Sequence, residues 1–443
     1  MKMTKGFTRI ILLLAFILSC VSVDAQTGAA FGGYSPYSVF GIGDIAKEGT
    51  AYTRSMGGVG IANRNRRFIN ITNPAAVSSI DSSSFMADFG LVENNVIFDQ
   101  RLGDRRLRSG NNTFNIHNFV MAFPIYRSSA MMIGITPFSD IGYDFSNYVT
   151  NTDIIGVTNN INHSHYGEGS VYQLFVAGGV TFWKRLSVGA ELLYYFGTLD
   201  RSSGTDFTDA SIRDISVGSE MLVRALSGKF GLQYEQPLGN NLHVTFGSTY
   251  RLRTNMKGST SSYEYAELSG IRDTVSFNTF DNREGLKIGD ELGVGVSLRS
   301  AERWSVEFNY LRSDWRNSGM DNPSFTGLVS EGFTTSVSQS FRAGFEIVPN
   351  RNDIRYYLRR CSYRAGLYYD QSYYRFNGNR VDAVGLTLGI TLPVAARLFN
   401  GISLGVDIGQ RGSMRNAMVR ERYATISVGF NIYDRWFHKI RYE

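Results

Sequence analysis

The chain has 443 residues, with 47 glycines, 30 phenylalanines and 25 tyrosines against only 8 prolines and 2 cysteines. Two cysteines exclude a disulfide framework and a cysteine-rich metal cluster. The formal net charge of +6 comes without a basic run interleaved with aromatic residues, so nothing in the composition indicates nucleic acid binding. Length alone would allow two or three soluble domains.

Residues 1–25 are predicted to form a secretory signal peptide. Basic residues precede the apolar stretch Ile10–Leu18, and small residues suit cleavage after Ala25. The sequence around Cys20 leaves lipoprotein processing open as an alternative. No later apolar run reaches the roughly 18 residues that a membrane helix needs. The exported chain is therefore a soluble periplasmic β protein, a secreted one or an outer-membrane barrel.

Long stretches of alternating apolar and polar residues decide between these classes. Examples are Leu186–Gly197, Leu242–Arg253, Leu286–Leu298 and Ala424–Ile432. A period of two predicts β-strands, and their length suits a tilted membrane crossing of about 9 to 11 residues. Strands of soluble sandwiches also alternate but are shorter, about 5 to 6 residues. The pattern predicts an all-β fold, an antiparallel transmembrane β-barrel of about 14 strands formed by residues 83–443.

The connections between the predicted strands alternate in length. Those after even-numbered strands are mostly short, as at Tyr126–Ser129 and Trp183–Arg185. Such alternation is typical of barrels with short periplasmic turns and long extracellular loops. The connections predicted to be long are Arg101–Asn112, Asn151–Gly169, Arg201–Glu220, Lys257–Glu284 and Arg316–Glu331.

Residues 26–82 precede the first predicted strand and show neither a helical nor a strand pattern. A barrel of this size has a wide lumen unless something fills it. Irregular backbone is tolerated at membrane depth where it lines water or protein. We therefore expect this polar, glycine-rich segment to start on the periplasmic side and to form an N-terminal hatch, or plug, inside the barrel.

Several motifs in this segment resemble the FadL/TodX outer-membrane protein transport family, whose best-known members are long-chain fatty acid transporters. They are "GIGD" at Gly41–Asp44, "RSMGGVGIAN" at Arg54–Asn63 and the Asn-Pro-Ala motif. The terminal "RWFHKIRYE" resembles Bacteroidetes members of that family. The residues assigned to the hatch motif are Gly57, Gly58, Gly60, Asn73, Pro74 and Ala75.

The resemblance implies a monomer in the outer membrane of a Gram-negative bacterium. It also implies passive transport of a hydrophobic small molecule, such as a long-chain fatty acid, past the hatch and a kinked third strand. Pro137 and Gly142 are the candidate kink, because proline inside a strand marks an edge, a bulge or a break. An ordinary bulge without a role in transport is the alternative. A second functional hypothesis is a FadL-like barrel that serves a type IX protein secretion system as a partner or cargo shuttle.

Three arginines of the predicted hatch, Arg64, Arg66 and Arg67, could bind the carboxylate head group of a ligand. Alternatively they pair with acidic residues of the lumen wall, for example Glu191 or Glu291. No catalytic motif is present in the sequence, so an enzyme is not expected. We expect no cofactor and no metal either, and we interpret His163 and His165 as part of a solvated polar loop. The expected partners are outer-membrane lipid and the hydrophobic ligand.

Overall fold

A computed structural model of the chain describes most of the residues after the predicted signal peptide. The predicted signal peptide, with Cys20, lies outside the described residues. The described residues are 33–81, 84–126, 128–149, 161–207, 211–239, 241–300, 303–322, 332–394, 399–416 and 418–435.

The described chain is almost entirely β-structure. Its short helical turns are α1 (Ala51–Arg54), α2 (Tyr357–Arg360) and the 3₁₀ turns Pro36–Val39, Pro74–Ser79 and Asn282–Glu284. The strands are β1 (Asp44–Ile45), β2 (Ser84–Leu102), β3 (Arg105–Tyr126), β4 (Ser129–Val149), β5 (Ile161–Phe182), β6 (Leu186–Phe207), β7 (Asp214–Leu238), β8 (Leu242–Arg251), β9 (Thr254–Asn255), β10 (Ser259–Leu268), β11 (Ile271–Asp281), β12 (Lys287–Ile288), β13 (Asp290–Ser300), β14 (Trp304–Asp314), β15 (Phe333–Thr335), β16 (Val337–Ile347), β17 (Ser362–Phe376), β18 (Asn379–Leu392), β19 (Phe399–Arg411) and β20 (Val419–Arg435).

The wall is a closed, antiparallel barrel of 14 strands, namely β2–β8, β13, β14 and β16–β20. Each strand pairs with its neighbours in chain order, and the last strand closes the ring against the first, from Ser84↔Arg435 to Gln100↔Val419. Closure removes the sheet edges that would otherwise expose unpaired backbone groups to lipid. The predicted fold class is confirmed.

Strand alternation places apolar side chains outside and polar ones inside. In β6, Leu192 is 55% exposed on the outer surface, whereas Glu191 beside it is 6% exposed in the lumen. At the end of the barrel with short turns, Tyr126, Phe182 and Trp183 are exposed, as in the aromatic girdles of outer-membrane barrels. We call this end the short-turn end and the opposite one the long-loop end.

Two of the connections predicted to be long loops are hairpins. In Arg101–Asn112, β2 and β3 remain paired up to Leu102 and Arg105, and Gly103 adopts a φ of +61° in the tight turn. Within Lys257–Glu284, β10 and β11 pair with each other, and β10 also extends the sheet along β7. The prediction of loops in these two regions was therefore wrong.

Three further connections are shorter than predicted or only partly described. Most of Arg201–Glu220 belongs to β6 and β7. The end of Asn151–Gly169 belongs to β5, and the rest of that connection lies outside the described residues, as does much of Arg316–Glu331. His163 therefore lies in a strand, with Nδ1 3.1 Å from Thr205 Oγ1, and not in a loop. The physical reason is that a sheet extending beyond the lipid can be polar on both faces, which removes the alternation on which the prediction depended.

Residues 33–81, which we call the N-terminal segment, pack against the inward-facing side of the barrel. A Cβ atom placed on Gly189 of β6 would lie 2.4 Å from the backbone nitrogen of Ala75. One on Gly366 of β17 would lie 2.2 Å from the nitrogen of Gly57. Glycines of the wall thus let the backbone of the segment approach closely. A cluster of buried apolar side chains, including Ile42, Ile69, Val77, Phe175 and Leu193, joins the segment to the wall.

The described part of the segment starts near the middle of the barrel wall. The backbone nitrogen of Ser35 donates to the carbonyl of Gly142 in β4, and the Tyr34 hydroxyl donates to that of Asp144. The segment ends beside Ser84, at the short-turn end where β2 begins. The described part therefore runs toward the short-turn end. The expected start of the hatch on the periplasmic side concerns residues 26–32, which lie outside the described residues. Among the described residues, no helix has the length and apolarity required to cross a membrane.

Candidate functional site

The ladder between β3 and β4 is broken at mid-height. It runs from the short-turn end only to the pair Phe119↔Ile135. In contrast, β4 remains paired with β5 up to Val149↔Ile161. A register shift in that pairing falls between Pro137 and Ser139. Pro137, the residue predicted to kink the third barrel strand, lies just beyond the point where β4 separates from β3. As a proline it has no N–H to donate to a neighbouring strand.

The edge of β4 that β3 leaves free is covered by the N-terminal segment. Asp44 and Ile45 pair with Asp140 and Ser139 as strand β1. The nitrogen of Ala46 adds a hydrogen bond of 2.9 Å to the Phe138 carbonyl. The segment thus replaces β3 as the hydrogen-bonding neighbour of β4.

Gly142, the second residue of the predicted kink, lies under this contact. A Cβ at Gly142 would come within 1.8 Å of the carbonyl oxygen of Gly33, so only glycine admits the strand-like approach of the segment. Pro137 and Gly142 therefore both lie beside the break in the ladder, and their role as a kink in transport stays a prediction.

The first part of the segment, Gly33–Glu48, crosses the lumen, and we call it the strap. Asp44, whose backbone pairs with β4, is also anchored through its carboxylate, which accepts two hydrogen bonds from Arg411 of β19, at 2.8 and 2.5 Å. Arg411 is also 3.6 Å from Glu421 of β20, to which the Ser35 hydroxyl donates at 2.5 Å. A bidentate arginine–carboxylate pair combines charge with fixed geometry, so this contact orients the strap.

Two more ion pairs fix the end of the strap. Lys47 Nζ is 2.9 Å from Asp407 in β19, and Glu48 is 2.9 Å from Lys229 in β7. Burial lowers the pKa of Lys47, although the nearby carboxylate of Asp407 opposes the shift. Burial opposes the ionisation of Glu48, but the charges of Lys229 and Arg251 outweigh it and lower the pKa of that carboxyl. The strap is therefore held by charged side chains of β19 on one side of the lumen and of β7 on the other, in addition to its backbone pairing with β4.

A cavity of about 600 Å³ lies around the strap and reaches the broken ladder. Beside the break it is lined by Ile116, Phe119, Ile135 and Pro137, and Tyr172 is also part of the lining. Deeper in the lumen its lining is polar and charged, with Asp140, Gln173, Arg342, Asp370 and Asp407. A ligand with an apolar body and a polar group suits this lining better than a pure hydrocarbon.

The Asn-Pro-Ala motif begins the 3₁₀ turn Pro74–Ser79, which lies near the short-turn end of the lumen. The Asn73 side chain caps the 3₁₀ turn by accepting from Ala75 N at 3.0 Å and donates to the Ile61 carbonyl at 2.8 Å. Pro74 occupies the first position of the turn, where a missing N–H costs nothing. The motif thereby holds two stretches of the segment together.

The three glycines assigned to the motif have separate structural reasons. Gly57 and Gly58 both adopt a φ of +74°, which other residues rarely adopt. A Cβ at Gly60 would lie 2.7 Å from the hydroxyl oxygen of Thr72. Gly60 lies beside the Asn-Pro-Ala turn, through its contact with Thr72, whereas Gly57 and Gly58 pack against β16 and β17 on another part of the wall. The role of all these residues in gating stays a prediction.

We expect Gly189→Ala to displace the Asn-Pro-Ala turn without unfolding the barrel. The new methyl group would overlap the backbone of Pro74 and Ala75, and overpacking of this kind costs about 1 to 3 kcal/mol. Gly178→Ala is the matched control, because the nearest atom to its Cβ would be 4.0 Å away. Limited proteolysis of the folded barrel should cut the segment of the Gly189 variant faster than that of the control. Equal cleavage rates would contradict the expected displacement.

The structure places Arg64, Arg66 and Arg67 at a second cavity, of about 220 Å³, near the short-turn end. Arg64 Nε is 3.6 Å from Glu235, and its guanidinium also donates to Ser187. Arg64 therefore pairs with the wall, but through Glu235 and not through Glu191 or Glu291.

Other arginines add to the positive charge of this cavity. The guanidinium of Arg299 lies 3.2 Å from the carboxylate of Glu235 and donates to the Arg64 carbonyl. Arg303 and Arg351 also line the cavity. Arg66 is exposed and has no side-chain hydrogen bond or ion pair to the residues that the structure describes. Within this cavity, several guanidinium groups face two carboxylates, those of Glu235 and Glu346.

Several residues of the lumen were not predicted from the sequence. Lys229, Arg251, Asp407 and Arg411 lie on strands whose apolar faces dominated the prediction. Each side chain points into the lumen, so a charged residue at an inward position of its strand could have predicted a polar contact there. Its partner on the strap could not be identified in that way, because the partners lie more than 150 residues apart along the chain.

Comparison with known proteins agrees with this architecture. The sequence model of the BamG family matches residues 3–443. The chain belongs to the BamG family. None of the curated proteins compared with this BamG-family chain matches it.

Solved structures similar to this BamG-family chain share its fold at low sequence identity. They include the "CymD monoaromatic hydrocarbon channel", with 15% identity over 88% of this chain and 98% of that one and a TM-score of 0.56. The Pseudomonas putida toluene transporter TodX has 14% identity over 88% and 99%, with a TM-score of 0.56. A Pseudomonas aeruginosa FadL homologue has 11% identity over 89% and 99%, with a TM-score of 0.54. The resemblance to FadL/TodX-type proteins is thus confirmed for the fold, and the Bacteroidetes-type assignment stays a prediction.

Proposed function

We propose that this BamG-family chain is a passive conduit in the outer membrane of a Gram-negative bacterium. Its cargo would be a small hydrophobic molecule with a polar head, such as a long-chain fatty acid. The observation that carries the proposal is the break between β3 and β4, because the cavity of about 600 Å³ reaches the barrel wall there. Transport of toluene and of monoaromatic hydrocarbons by proteins of similar fold supports a small hydrophobic cargo, and the polar head is proposed from the lining of the cavity alone.

In this proposal the N-terminal segment, which carries the predicted hatch motif, acts as the plug. Cargo enters from the long-loop end, where its apolar body gains about 25 cal/mol for each Å² removed from water. The strap then leaves its seat on β4 and on Arg411, which opens the passage past the break. Undocking breaks partly buried ion pairs such as Asp44–Arg411, so the closed state is favoured until cargo is bound.

The second cavity, near the short-turn end, is the proposed binding site for the head group of the cargo. Its surplus of guanidinium groups would attract a carboxylate head that approaches the short-turn end. Arg66 is the best candidate for direct contact, because Arg64 is occupied by Glu235. Arg67 also lines this cavity.

Native mass spectrometry with lipid extraction tests the proposal directly. The protein is purified in detergent from an outer membrane, and co-purifying small molecules are identified and then offered to proteoliposomes. We expect a fatty acid or similar amphiphile to be retained, and the Arg66→Gln variant to retain several-fold less of it, since a bidentate guanidinium–carboxylate contact is lost. A protein that neither retains nor passes any such molecule would contradict the proposal. Stoichiometric protein partners in place of a ligand would favour the type IX secretion hypothesis, which stays a prediction.

A further inference from the structure

The outer surface of the wall near the long-loop end carries five arginines on three adjacent strands. Strand pairing brings them together: in the β2–β3 ladder Asp99 lies opposite Arg108 and Arg101 opposite Arg106, and in the β2–β20 ladder Asp99 lies opposite Arg420. Residues that face each other across a ladder share one face of the sheet. The arginine patch consists of Arg101, Arg106, Arg108, Arg420 and Arg422.

Strand alternation shows that this face points away from the lumen. Val96 and Tyr423 line the lumen cavity, so their chain neighbours Ile97 and Arg422 point outward. Ile97 is accordingly 38% exposed. The arginine patch therefore lies on the outside of the barrel.

A single carboxylate organises three of these arginines. Asp99 accepts from Arg106 at 2.6 Å, from Arg420 at 3.1 Å and from Arg422 at 2.9 Å, and its side chain is fully covered by them. The side chains of Arg106 and Arg422 nevertheless remain 54% and 43% exposed. Because one negative charge holds three positive ones, the cluster keeps a positive surplus and outward-facing N–H donors.

Two observations indicate that the patch has unused binding capacity. Arg108 is exposed and has no side-chain partner among the described residues, although it lies directly opposite Asp99. The Nε of Arg420 is buried and has no hydrogen-bond acceptor within the described chain. Buried guanidinium N–H groups are normally satisfied, so an acceptor group from outside the chain would complete this cluster.

Below the patch on the same outer face, Asn95 and Asn112 come first, and exposed apolar side chains follow nearer the short-turn end. Phe114 and Ile116 of β3 are 49% and 53% exposed and lie nearer the short-turn end than Arg108. Ile408 of β19, which is separated from β3 by β20 and β2, is 55% exposed. An amphiphile whose acyl chains lie on this surface would bring its head group to the level of the arginines.

We propose that the arginine patch is a binding site for the phosphate groups of a phosphorylated glycolipid in the outer leaflet. Guanidinium groups bind phosphate bidentately, and Asp99 fixes their spacing before the lipid arrives. The exposed Ile97 next to the patch, and the apolar surface farther along the same outer face, favour a membrane lipid over a soluble anion. The site is independent of the proposed transport function and requires only that the long-loop end faces the exterior.

The test compares two double variants that remove the same charge. Arg108→Gln/Arg422→Gln removes two patch arginines while Asp99 keeps Arg106 and Arg420. The control, Arg213→Gln/Arg272→Gln, alters exposed arginines elsewhere at the long-loop end, which pair with Asp273 and Glu267. Bisphosphorylated lipid A and its dephosphorylated form are titrated against each protein in detergent, and occupancy is read by native mass spectrometry.

We expect wild type and the control to bind bisphosphorylated lipid A equally, and the patch variant to bind it at least about tenfold more weakly, as for the loss of one bidentate contact. Dephosphorylated lipid A should bind wild type as weakly as the patch variant binds the phosphorylated form. Equal binding by the patch variant, equal binding of both lipids, or an equal loss in the control would each overturn the proposal. Heat-dependent gel mobility verifies folding, and Arg101→Gln/Arg108→Gln serves as a second patch variant if the first does not fold.

Discussion

Oxidation of a Gly33→Cys/Asp140→Cys pair, in a Cys361→Ser background, is expected to reduce transport of the cargo at least about tenfold, and reduction should restore it. A Cβ at Gly33 would lie 3.2 Å from the Cβ of Asp140. Disulfides need about 3.8 Å between these atoms, so a shift of a few tenths of an ångström suffices. The bond would tie the beginning of the strap to β4 beside the break in the wall. If the strap must leave β4 to open the passage, the locked protein cannot transport.

The measurement is uptake of the identified cargo into proteoliposomes, with and without reductant. The two single-cysteine variants are the controls, since each carries one substitution without the bond. Mass spectrometry of peptides establishes the crosslinked fraction. A fully crosslinked protein that transports at the rate of the reduced form would exclude movement of the strap from the mechanism, while leaving the identity of the cargo open.

The barrel was predictable because the membrane imposes a simple rule on every strand that crosses it. In β6, the alternation from Leu186 to Gly197 identifies both faces, and the structure places Glu191 and Tyr195 in the lumen as that alternation requires. The number of strands followed from the same periodicity. Lipid on one side and the packed lumen on the other enforce the pattern, so it can be read without long-range information.

The regions beyond the lipid could not be predicted in the same way. Arg101–Asn112 contains arginines, glycine and asparagine, which are frequent in loops, yet the structure continues the sheet through it. A strand surrounded by water on both faces carries no apolar alternation. Its stability comes from the ladder that starts within the membrane, and the local sequence contains little record of that support.

The site was predicted in its local parts only. The kink at Pro137 could be predicted because the missing N–H that disturbs the ladder is a property of one residue. The anchors of the strap depend on residues far apart in the chain, such as Asp44 and Arg411. No local pattern records such a pair. For the same reason the sequence suggested that Arg64 pairs with the wall but did not identify Glu235.

Asp44→Asn is expected to loosen the strap strongly. The substitution removes the carboxylate that accepts two hydrogen bonds from Arg411, which leaves that guanidinium with Glu421 at 3.6 Å. Breaking a buried pair costs about 3 to 5 kcal/mol, and we expect about 2 kcal/mol here because both side chains are partly exposed and Glu421 remains. The protection of the Ala46 amide, which donates to the Phe138 carbonyl, should fall about 30-fold in hydrogen exchange.

Two comparisons assign this effect to the ion pair. Asp273→Asn also breaks an aspartate–arginine pair, but that pair is exposed at the surface and should leave strap protection unchanged. Asp44→Asn, Arg411→Gln and the double variant form a thermodynamic cycle. If the pair holds the strap, the double variant loses less protection than the sum of the two single losses, with a coupling of about 1 kcal/mol or more. Additive losses would show that Asp44 and Arg411 act separately, and Lys47 and Glu48 would then be the charged anchors of the strap.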